Sequence, residues 1–407
     1  MVDKAKVLKS TLLYNSRVRR YFTRQPRIYF NMKKTDERVK KPVKIVILKI
    51  VTACALVFCI AFTAVYGKYK ISAGVTVKPK PPEKTIISVW QIDTFEGGTG
   101  SRQRFLSENA RAFEKANPEI LVMVTAQTAE SAKTAFENGL RPDLVSYGAG
   151  VELSGFSEIN CGRNTACGLI GEKQFAAVWC RGVYALYENP EVTKTEYEKT
   201  AVSAGNFNIP AAAFALSSAF GSKANDKAGV QNEAGIITDG RTGGEGLPSL
   251  DESKTEYLSP MDAYIKFVSG KAKYLLGTQR DAVRLKNRGF SAKMTPLIGF
   301  SDLNQFISLT STEQTKAVYA ERFIQYLLTD EVQKKLNRIN MFSGIADVEY
   351  DDADFVALQN AAKKNSETGL SVSAFVTAAE LSELRDLAGK AARGNKECLF
   401  KLKKVLI

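Results

Sequence analysis

The chain has 407 residues, 44% of them hydrophobic and 25% charged, the balance of a globular protein long enough for two domains or one domain of two lobes. Its net charge of +14 is uneven: residues 1–44 hold 14 Lys and Arg against 3 Asp and Glu, a net of +11 that leaves +3 for the other 363 residues and argues against a nucleic-acid partner. There is no histidine, which excludes His-based zinc sites, Ser-His-Asp triads and Cys-His dyads; neither metal nor cofactor is expected.

Residues 1–43 form a basic segment. Residues 45–66 are 22 residues with one charge, Lys49. As a helix they would reach about 33 Å, enough for a bilayer core of about 30 Å. The basic flank precedes them, so the positive-inside rule places residues 1–43 in the cytoplasm and everything after Tyr66 outside. Met32-Lys33-Lys34 reads as the charged start of an export signal, which makes residues 1–31 a cytoplasmic extension or a misplaced start. Val51-Thr52-Ala53-Cys54 matches a lipoprotein box in letters, yet the apolar run continues past Cys54. An uncleaved signal-anchor over residues 44–66 is therefore expected. Residues 67–84 carry Lys78-Pro79-Lys80-Pro81-Pro82 and read as a stiff extended linker.

The folded part begins with a strand over residues 85–92. A glycine loop, residues 93–102, opens a helix that Asn117-Pro118 stops. A strand at 120–124, a helix at 129–140 and a strand at 142–148 follow. Strands alternating with helices imply parallel pairing, with ligands at the carboxyl ends of the strands. Those ends are the loop 95–102 and the turn 147–150. Gly97-Gly98-Thr99-Gly100-Ser101 lacks the lysine of a P-loop and is not G-x-G-x-x-G, so a nucleotide site is not indicated. Its glycines suit either a plain turn or close approach of backbone N–H groups to a ligand. Cys161 and Cys167, six apart in a Gly- and Asn-rich loop outside the membrane, suggest a disulfide.

Residues 175–190, with Trp179, Arg181 and an apolar stretch over 183–187, read as a strand crossing between lobes, its middle facing a cleft. An ordinary core strand with a buried Cys180 is the alternative. Residues 190–260 carry few periodic signals; a helix is expected near 209–219 and a loop at 239–246. Helices near 261–269, 278–286, 315–328, 354–364 and 373–392 and strands near 271–277, 290–298 and 306–309 complete the pattern.

This order resembles the extracellular solute-binding proteins of ABC importers, family 1, the class that includes maltose-type sugar receptors. The resemblance is carried by Ile86 to Val124, by Arg141-Pro142-Asp143-Leu144-Val145-Ser146, by the crossover 179–189, and by residues 267–277 and 320–336. It implies an α/β, two-lobed periplasmic-binding-protein fold (type II) with hinge strands, here preceded by one N-terminal transmembrane helix. Lobe one would be residues 85–180 with 297–312, and lobe two 188–292 with 313–407. It further implies a receptor that closes on a sugar or sugar acid outside the cell and passes it to ABC permease subunits; the neutral body and the linker suggest a monomer, and the apolar run, a departure from the family's lipid anchor, would hold it single-pass at the cell membrane. A sensor ectodomain of the same fold and an extracytoplasmic carbohydrate-active enzyme are the alternatives. Where the family's cleft falls stand Arg102, Arg181 and Arg280, with Phe95, Glu96, Thr99, Tyr147, Trp179, Gln279 and Asp281, and Asp302 and Gln305 near the return hinge. Arginine forks suit carboxylate, phosphate or vicinal hydroxyls, and Trp179 or Tyr147 would stack on a ring. The alternative is local pairing, Arg280 with Asp281 or Arg102 with Glu96.

Overall fold

A computed structural model describes residues 43–72, 84–162, 165–225 and 250–407. The basic segment 1–42, most of the linker and the loop at 239–246 lie outside the described residues. Helix α1 (Val43–Ser72) contains an apolar window, Ile47–Tyr66, of 20 residues and mean hydropathy 2.3. That is long and apolar enough to cross a membrane. Thr52 and Thr63 donate their hydroxyls to carbonyls of their own helix, at 2.9 Å to Leu48 and 2.8 Å to Cys59, so neither needs water.

The body, Pro82–Ile407, is a separate unit. It opens with β1 (Thr85–Ile92), α2 (Arg102–Ala116), β2 (Ile120–Gln127), α3 (Ala129–Glu137) and β3 (Leu144–Tyr147). Ser101 caps α2 by accepting from the Arg104 amide, and Phe105, Leu106, Ala110 and Phe113 bury one helical face. After a long loop come β4 (Ala177–Arg181) and β5 (Tyr184–Glu188), then β6 (Thr200–Ser203), α4 (Pro210–Asn225), β7 (Thr255–Leu258), α5 (Pro260–Val268), β8 (Tyr274–Thr278), α6 (Gln279–Asn287) and β9 (Lys293–Pro296). The chain returns through β10 (Asn304–Leu309) to α7 (Gln314–Leu327) and two helical turns, Asp330–Gln333 and Lys334–Ile339. It ends with α8 (Ala353–Thr368), α9 (Ala378–Ala392) and α10 (Lys396–Val405).

The strands form two five-stranded sheets, ordered β2-β1-β3-β10-β4 and β9-β5-β8-β6-β7. In the first, β1 runs parallel to β2 and β3, and β10 returns antiparallel between β3 and β4. In the second, β8 is parallel to β6 and antiparallel to β5. The chain passes between lobes three times: between β4 and β5, between β9 and β10, and around Asn340–Phe342. At the last of these Phe342 bridges back to Arg181, with amide–carbonyl bonds of 2.8 and 3.0 Å in the two directions.

One expected boundary is wrong. Helix α7 packs on β1, β10 and α2, in lobe one and not lobe two. Its Ala320, Phe323, Ile324 and Leu327 are fully buried, and Phe323 meets Phe113 edge-on at 5.3 Å. Apolar periodicity announces a buried face but not the surface that buries it. Helix α8 packs on β9 and α6 of lobe two, so the third passage falls between α7 and α8.

Candidate functional site

A cavity of about 360 Å³ lies between the lobes at the carboxyl end of β1. Lobe one supplies the loop 93–100 and Arg102; the far side is made by Gly205, Asn208 and Pro260, and Ile339 and Met341 of the third passage line it as well. The loop is shaped by contact. Gly98 lies so close to the third passage that a Cβ there would stand 2.1 Å from the Asn340 carbonyl oxygen and 2.4 Å from that of Ile339. The Thr99 amide donates to the Ile339 carbonyl at 2.7 Å. Asn340 itself takes a left-handed conformation, φ 47°, which asparagine tolerates better than most residues.

Arg102 is the buried charge of this wall, 4% exposed. Its Nε donates to Asp93 Oδ1 at 2.7 Å, its Nη2 donates to the Phe95 carbonyl, and its guanidinium lies 4.3 Å from the Phe95 ring centroid. Its Nη1 is buried without a partner. Asp93 Oδ1 also accepts from Gln91 Nε2 at 2.8 Å, while the Asp93 side chain is 54% exposed. The Thr94 hydroxyl is likewise buried and unpartnered. Across the cavity, Asn208 Oδ1 accepts from the Gly205 amide at 2.6 Å.

Four of the twelve residues expected in the site line the cavity: Phe95, Glu96, Thr99 and Arg102. Arg280 stands next to it, donating from Nη1 to the Gly98 carbonyl at 2.5 Å. Neither expected local pair forms. Arg102 takes Asp93 rather than Glu96, and Glu96 and Asp281 both take Arg284.

The remaining expectations are corrected. Trp179 is buried in the core of lobe one, stacked on Phe105 with centroids 5.8 Å apart and donating Nε1 to Ser146 Oγ at 2.8 Å. Tyr147 is fully buried, stacked on Phe156 at 5.5 Å and bonded to Ser308 Oγ at 3.0 Å. Both rings are enclosed by their neighbours, so neither is open to a ligand. Arg181 is buried at the first passage, with Nη1 donating to Asn304 at 3.0 Å. Gln279 accepts from the Val183 amide at 3.0 Å, and Gln305 donates to the Ile92 carbonyl and to Ser146 Oγ, both at 3.1 Å. These polar groups hold the passages together instead of facing the cavity. Asp281 closes the capping box of α6 and pairs with Arg284; burial pushes its carboxyl up to about 6, although the Thr278 amide and Arg284 pull the other way. Asp302 is buried at the second passage, and burial raises it to about 7. Cys167 carries a free thiol, so the expected Cys161–Cys167 bond is not formed; both residues sit buried in lobe one.

The sequence reading missed Asp93, Asn208, Met341 and Arg284. Asp93 belonged to the loop already singled out. Asn208, two residues before the proline that opens α4, had only a helix-start signal, and nothing near Met341 marked a third passage.

Two α/β lobes, three chain passages and a cavity between the lobes define a two-lobed α/β fold of type II. No family model and no curated protein matches the chain. Among solved structures it is similar to the maltose-maltodextrin binding protein of Alicyclobacillus acidocaldarius, at 14% identity over 79% of this chain and 98% of that one, TM-score 0.46. It is similar also to the sugar-binding protein MalE from Xanthomonas citri, at 14% identity over 79% and 96%, TM-score 0.49. RafE from Streptococcus pneumoniae gives 14% identity over 80% and 98%, TM-score 0.46.

Proposed function

We propose that this chain is a receptor held at the cell membrane by α1, with its body on the extracellular face. In this reading it captures a small, hydroxyl-rich, carbohydrate-like solute between its lobes and delivers it to the permease subunits of an ABC importer. One observation carries the reading: a cavity walled by both lobes holds a buried guanidinium, Arg102, whose Nη1 lacks a partner beside a half-exposed carboxylate, Asp93. A donor and an acceptor side by side match the vicinal hydroxyls of a sugar, which donate and accept together. Because Asp93 already neutralises Arg102, a neutral polyol suits this wall better than the sugar acid that three free arginines would favour. Neither Trp179 nor Tyr147 offers a ring to this site, since both are buried elsewhere.

The chain binds rather than turns over its solute. A glycosidase needs two carboxyl groups facing each other across the scissile bond. Here Glu96 is held by both guanidinium nitrogens of Arg284, and Asp93 is held by Arg102. Closure is favoured by whatever contacts the solute gains from the second lobe.

The experiment is a thermal-shift panel of neutral sugars, polyols, sugar acids and phosphosugars on the full chain in detergent. A solute at 100 times its Kd adds about 2.7 kcal/mol. The matching solute should then fail to enter a deletion strain. Hydrolysis of the solute by pure protein, or uptake unchanged in the deletion strain, would overturn the proposal. Protease added to intact cells should cleave the body, which tests its orientation.

A further inference from the structure

Arg284, on α6 of lobe two, was in no expected site. Its Nη2 donates to Glu96 Oε1 at 2.6 Å and its Nη1 to Glu96 Oε2 at 2.8 Å, a two-pronged pair reaching from lobe two to the loop of lobe one. The pair is partly buried: the Arg284 side chain is 12% exposed and that of Glu96 35%. On its other side Nη1 donates to the buried Asp281 at 3.1 Å, which is fixed in turn by the Thr278 amide at 3.0 Å. The guanidinium therefore has little freedom to swing away. Burial opposes its charge, and Glu96 and Asp281 together outweigh burial, so its pKa lies above the ordinary arginine value. One turn earlier on the same helix, Arg280 holds the Gly98 carbonyl. Two arginines of α6 thus grip two points, Glu96 and Gly98, of the loop that walls the cavity.

We propose that Arg284 is a positioning residue for the binding site: through Glu96, and with Arg280 on Gly98, it clasps the loop 95–99 to lobe two. The clasp holds this cavity wall in shape. One two-pronged charged pair and a carbonyl contact that hold the loop lower the cost of ordering it around a solute. The clasp also engages Glu96 and the Gly98 carbonyl on one side of the cavity, so the site takes a compact solute and not a chain running past that side. That last consequence rests on the solute-binding reading above; the clasp itself does not.

The test is hydrogen exchange by mass spectrometry on the full chain in detergent, without any solute. The reporter is a peptide covering residues 94–101, which contains the Thr99 amide bonded to Ile339. Glu96→Ala and Arg284→Ala should each speed its exchange by about tenfold, the scale of a well-oriented, partly buried pair. The double variant should be no faster than either single, because one interaction cannot be lost twice. Arg284→Lys, which keeps charge but loses the fork, should fall between parent and alanine variant and guards against the loss of Asp281's partner. Peptides from β1 and β8 should exchange as in the parent. Exchange at 94–101 that is unchanged in the single variants, or additive in the double, or accompanied by faster exchange in β1 and β8, overturns the clasp. Once a solute is known, Glu96→Ala should weaken it and should admit longer oligomers; unchanged affinity and length preference would overturn the positioning role while leaving the solute-binding reading intact. A panel that yields no solute overturns the latter alone.

Discussion

The Tyr184 hydroxyl, just past the first passage between lobes, donates at 3.1 Å to Asp302 on the second passage. The same carboxylate oxygen accepts from the Ile209 amide at 2.6 Å, and the other, Oδ1, is buried without a partner. Two of the three chain passages are therefore tied through one buried acid.

That acid makes stability depend on pH. Burial raises the Asp302 carboxyl to about 7, and Asp281 to about 6. An acid whose folded pKa is raised favours the fold while protonated. Its contribution is full below the unfolded value, about 4, and is lost as pH rises through the folded value. Stability should fall between about pH 4 and about pH 7 and level off above. Asp302→Asn removes the larger part of this slope. At about pH 8 it should exceed the parent by about 1–3 kcal/mol, the scale of a buried polar group relieved of an unmet demand. At about pH 4 the two should melt together. Thermal melts across that range check it, and an unchanged slope in the variant would refute it.

Arg102→Ala should abolish measurable solute binding, and Arg102→Lys should weaken it by about 1.5–3 kcal/mol, the scale of a charged hydrogen bond. Lysine keeps the charge but cannot serve Asp93 and a solute from one fixed fork. Titration calorimetry with the solute found by the thermal-shift panel measures the loss. Arg102→Lys protein that binds like the parent would remove Arg102 from the site.

Trp179→Phe should lower stability by about 1–2 kcal/mol through the lost bond to Ser146 and the lost packing on Phe105. Solute affinity should not change. The comparison is one of melting temperature against Kd, and a Kd that moves with no change in melting would return Trp179 to the cleft.

Gly98→Ala places a methyl against two carbonyl oxygens of the third passage, at 2.1 and 2.4 Å in the unrelaxed geometry. The loop must move away, and the Thr99–Ile339 and Arg280–Gly98 bonds should go with it. A loss of about 1–3 kcal/mol in solute affinity is expected, with a smaller effect on the fold, because the clash falls on a loop and not a strand. Equal losses in both would place Gly98 in the fold's core instead.

The sequence by itself determined the order of strands and helices from β1 to β3, an apolar helix over residues 44–66 and the loop at the end of β1. Each of these is a local pattern: an apolar period, a cap, a glycine run, a proline stop. Phe95, Glu96, Thr99 and Arg102 were legible because they stand in one short loop at a strand's carboxyl end. What the sequence could not decide was which polar side chain meets which. Arg181, Gln279, Asp302 and Gln305 read as ligand contacts because they are polar near strand ends. They turned inward because three chain passages packed together bring backbone amides and carbonyls that only such groups satisfy. Trp179 and Tyr147 went to the core for a related reason: strand alternation assigns a residue to a face, but only the packing of α2 and the loop at 156 shows that the face is covered. The pair Glu96–Arg284 joins residues 188 positions apart, and only the docking of lobe two against that loop brings them within hydrogen-bond reach.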